Sequence, residues 1–137
     1  MFAKYRNQDL GILIIRLGLA YIFIEHGLQK FTQTHMYAQF FSHLGFFWPL
    51  ILVYFVGVVE VLGGLAMLLG FFAEEFGWLL AVDMLVVIVK VRMGPQARGW
   101  LGGHEFEFML LLMSVAVSFI GAGRYALRRP AEKQILV

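Results

Sequence analysis

The amino-acid sequence predicts an all-α integral membrane protein, a four-helix bundle with a short amphipathic helix between helices one and two. Apolar side chains make up 61% of the 137 residues and charged ones only 15%, whereas soluble domains are about 45–50% apolar and about 25% charged. The apolar residues are gathered in four long runs, and the connection between the first two runs is amphipathic. We therefore expect a single transmembrane domain that comprises residues 1–137.

Four apolar segments each approach the ~20 residues that a helix needs to cross the hydrocarbon core of a bilayer. They are approximately residues 10–30, 49–72, 76–93 and 104–122, followed by a polar tail at 124–137. Pro49 suits the first turn of the second helix, and Gly94 and Pro95 end the third segment. Strands are disfavoured because the runs are long and do not alternate apolar with polar residues.

The connection at residues 31–48 has a different pattern. Met36, Phe40, Phe41 and Leu44 recur at helical spacing and are interleaved with polar side chains. This pattern is typical of a short amphipathic helix that lies at the membrane interface.

Charge and composition limit the kinds of site that the chain can form and predict its orientation in the membrane. The chain has no cysteine and a net charge of +2, so it lacks disulfides and thiolate metal sites, and we expect no nucleic-acid partner. Four crossings would place both termini on one side, where lysine and arginine are more numerous than on the other. The positive-inside rule then predicts a bacterial cytoplasmic (inner) membrane protein with both termini in the cytoplasm.

Three charged residues lie near the middle of predicted spans. Glu60 and Asp83 fall near the midpoints of the second and third segments, and Arg16 lies close to that of the first. Charged groups at this depth are costly and are usually paired or functional. We expect a midplane polar core in which Arg16 pairs with Glu60, with Asp83, or with both.

Glycines accompany this predicted core. Gly57, Gly63 and Gly64 share a helical face with Glu60, and Gly18 belongs to a glycine-bearing face of the first helix. Because small residues let helix backbones approach closely in membranes, we interpret these four glycines as close-packing positions.

A second charged cluster is predicted at the membrane side opposite the termini. Its candidate site residues are Glu25, His26, Lys30, His104, Glu105 and Glu107. Lys90 and Arg92, at the end of the third segment, fall on the same side. Carboxylates and histidines in this setting are typical of a quinone or proton site. A structural salt-bridge network, a metal site and a haem with His26 and His104 as axial ligands are alternatives. No tight ligand motif such as HExxH is present, so we predict no metal site.

Several motifs resemble the DoxX family of small bacterial membrane proteins. They are RLGLAYIFIEHGLQKF (16–31), VVEVLGGLAMLLGFF (58–72), GGHEFEFMLLL (102–112) and GAGRYAL (121–127). The matching positions are Arg16, Gly27, Lys30, Glu60, Gly63, Gly64, Gly70, Glu105, Phe106, Gly121, Gly123 and Arg124. The roles expected for Asp83, His104 and Glu107 come from the residues alone, outside the family pattern.

The resemblance implies four transmembrane helices and a link to quinone-dependent sulfur oxidation complexes. We therefore expect a membrane subunit of a quinone-linked oxidoreductase system, with quinone as the ligand, no intrinsic cofactor motif and a redox protein as partner. Whether the chain itself is an enzyme stays open at this point. One alternative is a non-catalytic assembly or anchoring subunit that contacts a soluble partner through residues 94–103 and the tail. Another alternative is a small transporter, which would require a homo-oligomer.

Overall fold

The computed structural model describes residues 7–92 and 103–127, and within these ranges the chain is helical without a β-strand. The helices are α1 (Gln8–Thr32), α2 (Thr34–His43), α3 (Pro49–Leu69), α4 (Ala73–Val87) and α5 (Glu105–Ile120). A π-helical turn, Ile88–Arg92, continues α4. Apart from Arg124, the charges near the termini that predict orientation lie outside the described residues, as do most of the expected contact segments at 94–103 and 124–130.

Local sequence signals explain where the helices begin and end. The side chain of Asn7 caps α1 by accepting a hydrogen bond from the backbone N–H of Leu10 at 3.1 Å. Pro49 occupies the first turn of α3, as predicted. Gly70 ends α3 in a left-handed conformation with φ of 73°, so α3 is shorter than the predicted segment 49–72. The connection that follows is short, and α4 begins at Ala73, three residues before the predicted start at 76.

The four longer helices pack side by side, with α1 against α3 and α5, and α4 against α3 and α5. Helix α2 packs mainly on α3. We call the end where α3 and α5 finish the Arg16 end, and the end that carries α2 the α2 end. The buried apolar core includes Leu19, Phe23, Met67, Leu80, Leu110 and Val117.

Large apolar side chains also cover the outside of the helices. Tyr21, Ile51, Phe55 and Phe119 are among many that are exposed, as expected of a surface that faces acyl chains. Among the described helices, α1 and α3 are long and apolar enough to cross a membrane. Helices α4 and α5 are shorter, with 15 and 16 residues.

Candidate functional site

A buried ion pair joins α1 to α3. The Lys30 ammonium donates to Oε2 of Glu60 at 2.5 Å, and the two residues are only 7% and 2% exposed. Gly57 permits this approach because a Cβ there would lie 3.3 Å from the Cβ of Lys30 and 3.1 Å from the ring of Phe31. Glu60 is therefore directed into the interior, as its glycine-bearing face predicts.

Asp83 of α4 lies beside this pair. Its carboxyl group is close enough to that of Glu60 for the two to share a hydrogen bond when one of them is protonated. Oδ2 of Asp83 is buried and has no hydrogen-bond partner in the described residues. The group therefore consists of one ammonium and two carboxyls from three different helices, with spare capacity to accept a hydrogen bond.

These side chains line a cavity of about 700 Å³. His26 of α1 and Glu107 of α5 line it as well, and the His26 ring lies 6.1 Å from that of Phe106 between centroids. Most of the remaining wall is apolar and comes from α3 and α4. An apolar cavity with a few convergent polar groups is the usual form of a small-molecule site.

Helix α2 closes the cavity at the α2 end. Tyr37, Phe41 and Leu44 line it from this helix and its C-terminal cap. The Lys30 ammonium lies 5.2 Å from the centroid of the Tyr37 ring, close enough for a cation–π interaction. The predicted amphipathic helix is thus confirmed as a helix, and its aromatic side chains form part of the site.

The predicted cluster of histidines and acids divides in the structure. His26, Lys30 and Glu107 line the cavity, whereas Glu25, Glu105 and His104 do not. Glu25 and Glu105 are exposed, and Glu25 accepts a hydrogen bond from Gln29 at 3.3 Å. His104 is half-buried at the N-terminal cap of α5. Helical rotation explains the division, because neighbours in sequence project on different faces of the same helix.

The predicted pairing of Arg16 with Glu60 or Asp83 is wrong. Arg16 is fully buried, but among the described residues its guanidinium donates to backbone carbonyls and to no side chain. The acceptors are Met67 at 2.8 Å, Leu68 at 3.1 Å, Ala122 at 2.8 Å and Tyr125 at 3.2 Å. Arg16 and Lys30 are about 21 Å apart along α1 at 1.5 Å per residue, so Arg16 lies at the opposite end from the cavity.

Arg16 has a different role: it donates hydrogen bonds to backbone carbonyls at the C-terminal end of α3 and just after α5. Met67 and Leu68 belong to the last turn of α3, and Ala122 and Tyr125 follow α5. The last four carbonyls of a helix, Met67 and Leu68 among them, have no partner within that helix, and the negative C-terminal end of the helix dipole attracts a cation. The returning segment 121–127 is held further by the Arg124 N–H, which donates to Oδ1 of Asp9 at 2.9 Å.

Three of the four predicted close-packing glycines make tight contacts. Gly57 approaches Lys30 as described, and a Cβ at Gly63 would lie 2.8 Å from Leu80. At Gly64 it would lie 2.9 Å from the backbone nitrogen of Ile24. Gly18 was wrongly assigned, because a Cβ there would meet only a methyl group of Met113 at 4.0 Å.

Two further polar residues line the cavity: Tyr37, which sequence reasoning missed, and Lys90, which the sequence places at the same side as the predicted cluster. Lys90 lies in the π-helical turn after α4, with its ammonium 5.6 Å from the centroid of the Phe46 ring. Nothing in the sequence indicates that the helix becomes π-helical there, and so the direction of the Lys90 side chain could not be predicted. Within residues 7–92 and 103–127, no three histidine or acidic side chains are grouped closely enough to bind a metal ion.

Most of the chain is similar to known proteins. The DoxX family model matches residues 11–93. A Bacillus subtilis (strain 168) protein named "Putative oxidoreductase CatD" is 29% identical over 122 residues, which cover 89% of this chain and 87% of that protein. An uncharacterized protein of Haemophilus influenzae is 28% identical over 127 residues, which cover 90% and 91% of the two chains. No solved structure matches the chain.

Proposed function

Because the chain belongs to the DoxX family of membrane proteins, we propose that it is the membrane subunit of a quinone-linked oxidoreductase system. The observation that carries this proposal is the apolar cavity with Lys30, Glu60 and Asp83 on its wall. The name of the Bacillus subtilis relative supports a redox role. The ligand is a lipid-soluble quinone, whose ring carries two carbonyl oxygens.

The proposed architecture is a four-helix transmembrane bundle in the bacterial cytoplasmic membrane, with both termini in the cytoplasm. Helices α1 and α3 have the length and hydropathy for this role. The π-helical turn extends α4 into a continuous helical stretch from Ala73 to Arg92. The apolar exterior supports crossings by α4 and α5 as well, since both expose large apolar side chains.

The cavity residues have the chemistry that a quinone headgroup requires. The ammonium of Lys30 and the imidazole of His26 are donors for the two carbonyl oxygens. Reduction to quinol adds two electrons and two protons, and in this proposal the electrons come from a redox protein partner. The carboxyl pair of Glu60 and Asp83 can hold a proton next to one carbonyl, and Glu107 with His26 can deliver another from the α2 end.

Equilibrium binding to the purified protein in nanodiscs tests the proposal, with radiolabelled short-chain ubiquinone as the probe. Glu60→Gln removes the charge with little change in shape, and we expect it to weaken binding about tenfold or more, equivalent to about 1.4 kcal/mol. The matched control is Glu105→Gln, since Glu105 is exposed and outside the cavity. No saturable binding to the unmodified protein, or equal losses in both variants, would overturn the proposal.

The anchoring alternative makes a different prediction for the same variants. A subunit that only holds a soluble partner at the membrane would retain capture of that partner when Glu60 becomes Gln. Most of its proposed contact segments, at 94–103 and 124–130, lie outside the part of the chain that the structure describes. The quinone proposal has its support in the described residues, from the cavity lined by Lys30, Glu60 and Asp83.

A further inference from the structure

The cavity occupies a slot between α3 and α4. The two helices are antiparallel and touch where Gly63 faces Leu80. Beyond this contact, towards the α2 end, the cavity is lined by α3 from Leu52 to Glu60 and by the α4 stretch from Leu79 to Val91. The nine residues from Leu52 to Glu60 span about 12 Å along the helix axis, at 1.5 Å for each step.

One side of this slot opens through the outer surface of the protein. Phe55, Leu79 and Val82 line the cavity and yet are 64%, 50% and 57% exposed. Their exposed surface is continuous with the apolar exterior of α3 and α4, where a membrane protein meets acyl chains. The slot therefore leads from the surroundings of the helices to the polar group at its deep end.

The other walls of the cavity have fewer exposed side chains, namely Phe40 of α2 and Phe106 of α5. Helix α2 and Phe46 cover the α2 end of the cavity, and Tyr37 and Phe41 are half-buried there. On the opposite side, α1 contributes Lys30 and α5 contributes Leu110, both of them buried. A ligand with a polar ring and a long apolar chain fits this shape, ring innermost and chain towards the opening.

We propose that the slot between α3 and α4 is a lateral portal through which a lipid-soluble ligand enters directly from the bilayer, leaving its apolar chain between Phe55 and Val82. This inference rests on the proposed function for the identity of the ligand, a quinone. It adds the route of access and a second subsite for the chain. Val82 is the position where a larger side chain blocks the opening without entering the core, because its side chain is already more than half exposed.

A matched pair of substitutions on α4 distinguishes an effect of blocking the portal from an effect of placing a tryptophan anywhere on the outer surface of the helix. Val82→Trp places an indole in the opening. Leu85→Trp places the same group one turn away, where the residue is 51% exposed and does not line the cavity. The probes are ubiquinone-0, which has no chain, and decylubiquinone, which carries a ten-carbon chain. Binding is measured with the protein in nanodiscs.

We expect Val82→Trp to weaken decylubiquinone binding about tenfold, equivalent to about 1.4 kcal/mol, while ubiquinone-0 binding changes less than about twofold. Leu85→Trp should leave both unchanged. Equal effects of Val82→Trp on the two probes, or no effect on decylubiquinone, would overturn the portal. Such a result leaves the quinone proposal standing if both probes still bind the unmodified protein.

Fluorescence distinguishes failure of the portal from failure of the quinone proposal. The native tryptophans are first replaced (Trp48→Phe, Trp78→Phe and Trp100→Phe), so that the introduced indole is the only one. Lipids with brominated acyl chains quench an indole only on contact, so they report on the opening without any quinone. Quenching of the tryptophan introduced at position 82, to the level of the one at position 85, supports the portal even if neither quinone binds. Strong quenching at 85 with none at 82 means that another group, such as a second copy of the chain, fills the slot, and the portal is then wrong.

Discussion

The ion pair between Lys30 and Glu60 makes a quantitative prediction about stability. At 2.5 Å, two unit charges attract by roughly 6–7 kcal/mol if the effective dielectric constant is about 20. Desolvation costs several kcal/mol for each ion, so the net contribution of the pair to folding is far smaller than the attraction. A double-mutant cycle removes most of this ambiguity because it isolates the coupling between the two side chains.

The cycle uses Lys30→Met, Glu60→Gln and the double variant. Lys30 also acts electrostatically on Asp83, which would take over as partner when Glu60 is changed. The cycle is therefore run with Asp83→Asn in every variant. Stability is measured from the loss of helical circular dichroism as the protein unfolds in mixed detergent and SDS micelles.

We expect a coupling energy above about 2 kcal/mol, with Lys30→Met alone costing roughly 3–5 kcal/mol because it leaves a buried carboxylate without its cation. Neutral interhelical hydrogen bonds in a membrane protein couple by only about 0.6 kcal/mol on average and about 1.7 at most. A coupling of about 0.6 kcal/mol or less would refute the assignment of a charged, desolvated pair.

The remaining predictions concern the Arg16 end and the helix contacts. Arg16→Lys keeps the positive charge but removes the planar guanidinium that donates to four carbonyls. We expect this variant to lose about 2 kcal/mol of stability in the same unfolding assay. An unchanged unfolding midpoint would contradict the capping role. Gly64→Ala should destabilise by about 1–3 kcal/mol because its Cβ would press on the backbone of Ile24. Gly11→Ala is its control, since a Cβ at Gly11 meets nothing within 4 Å; that variant should be neutral or gain up to about 1 kcal/mol.

The features that sequence reasoning predicted correctly are those set by periodicity and composition. The long apolar runs became α1, α3, α4 and α5 within a few residues of the expected bounds. The inward orientation of Glu60 followed from the glycines on its face, because small residues mark where another helix approaches. The helix within residues 31–48 followed from the spacing of its aromatic residues.

The partner of Glu60 was wrong because depth along a helix does not determine which side chains meet. Arg16 and Glu60 both fall near the middle of their segments, but Arg16 is level with the end of α3, where free carbonyls attract it. Lys30 lies near the end of α1, yet its four-carbon stem carries the ammonium towards the interior. Neither outcome follows from position alone, since both depend on how α1 and α3 are aligned.

The cavity likewise could not be predicted from the sequence. It depends on α3 and α4 separating beyond the contact of Gly63 with Leu80, and helix separation has no local sequence signal. The six residues predicted as one outer cluster shared an end of the molecule but not a face. Only His26, Lys30 and Glu107 were brought to the cavity that also holds Glu60 and Asp83.

Photoaffinity labelling tests most directly the central claim that a quinone ring lies beside Lys30, Glu60 and Asp83. The protein in native membranes is irradiated with an azido-quinone, and the modified residues are located by mass spectrometry. We expect labels within residues 52–60 of α3 and 79–91 of the α4 stretch, suppressed by excess unlabelled quinone. Labels confined to the Arg16 end, or labels in the slot that excess quinone does not suppress, would contradict the central claim.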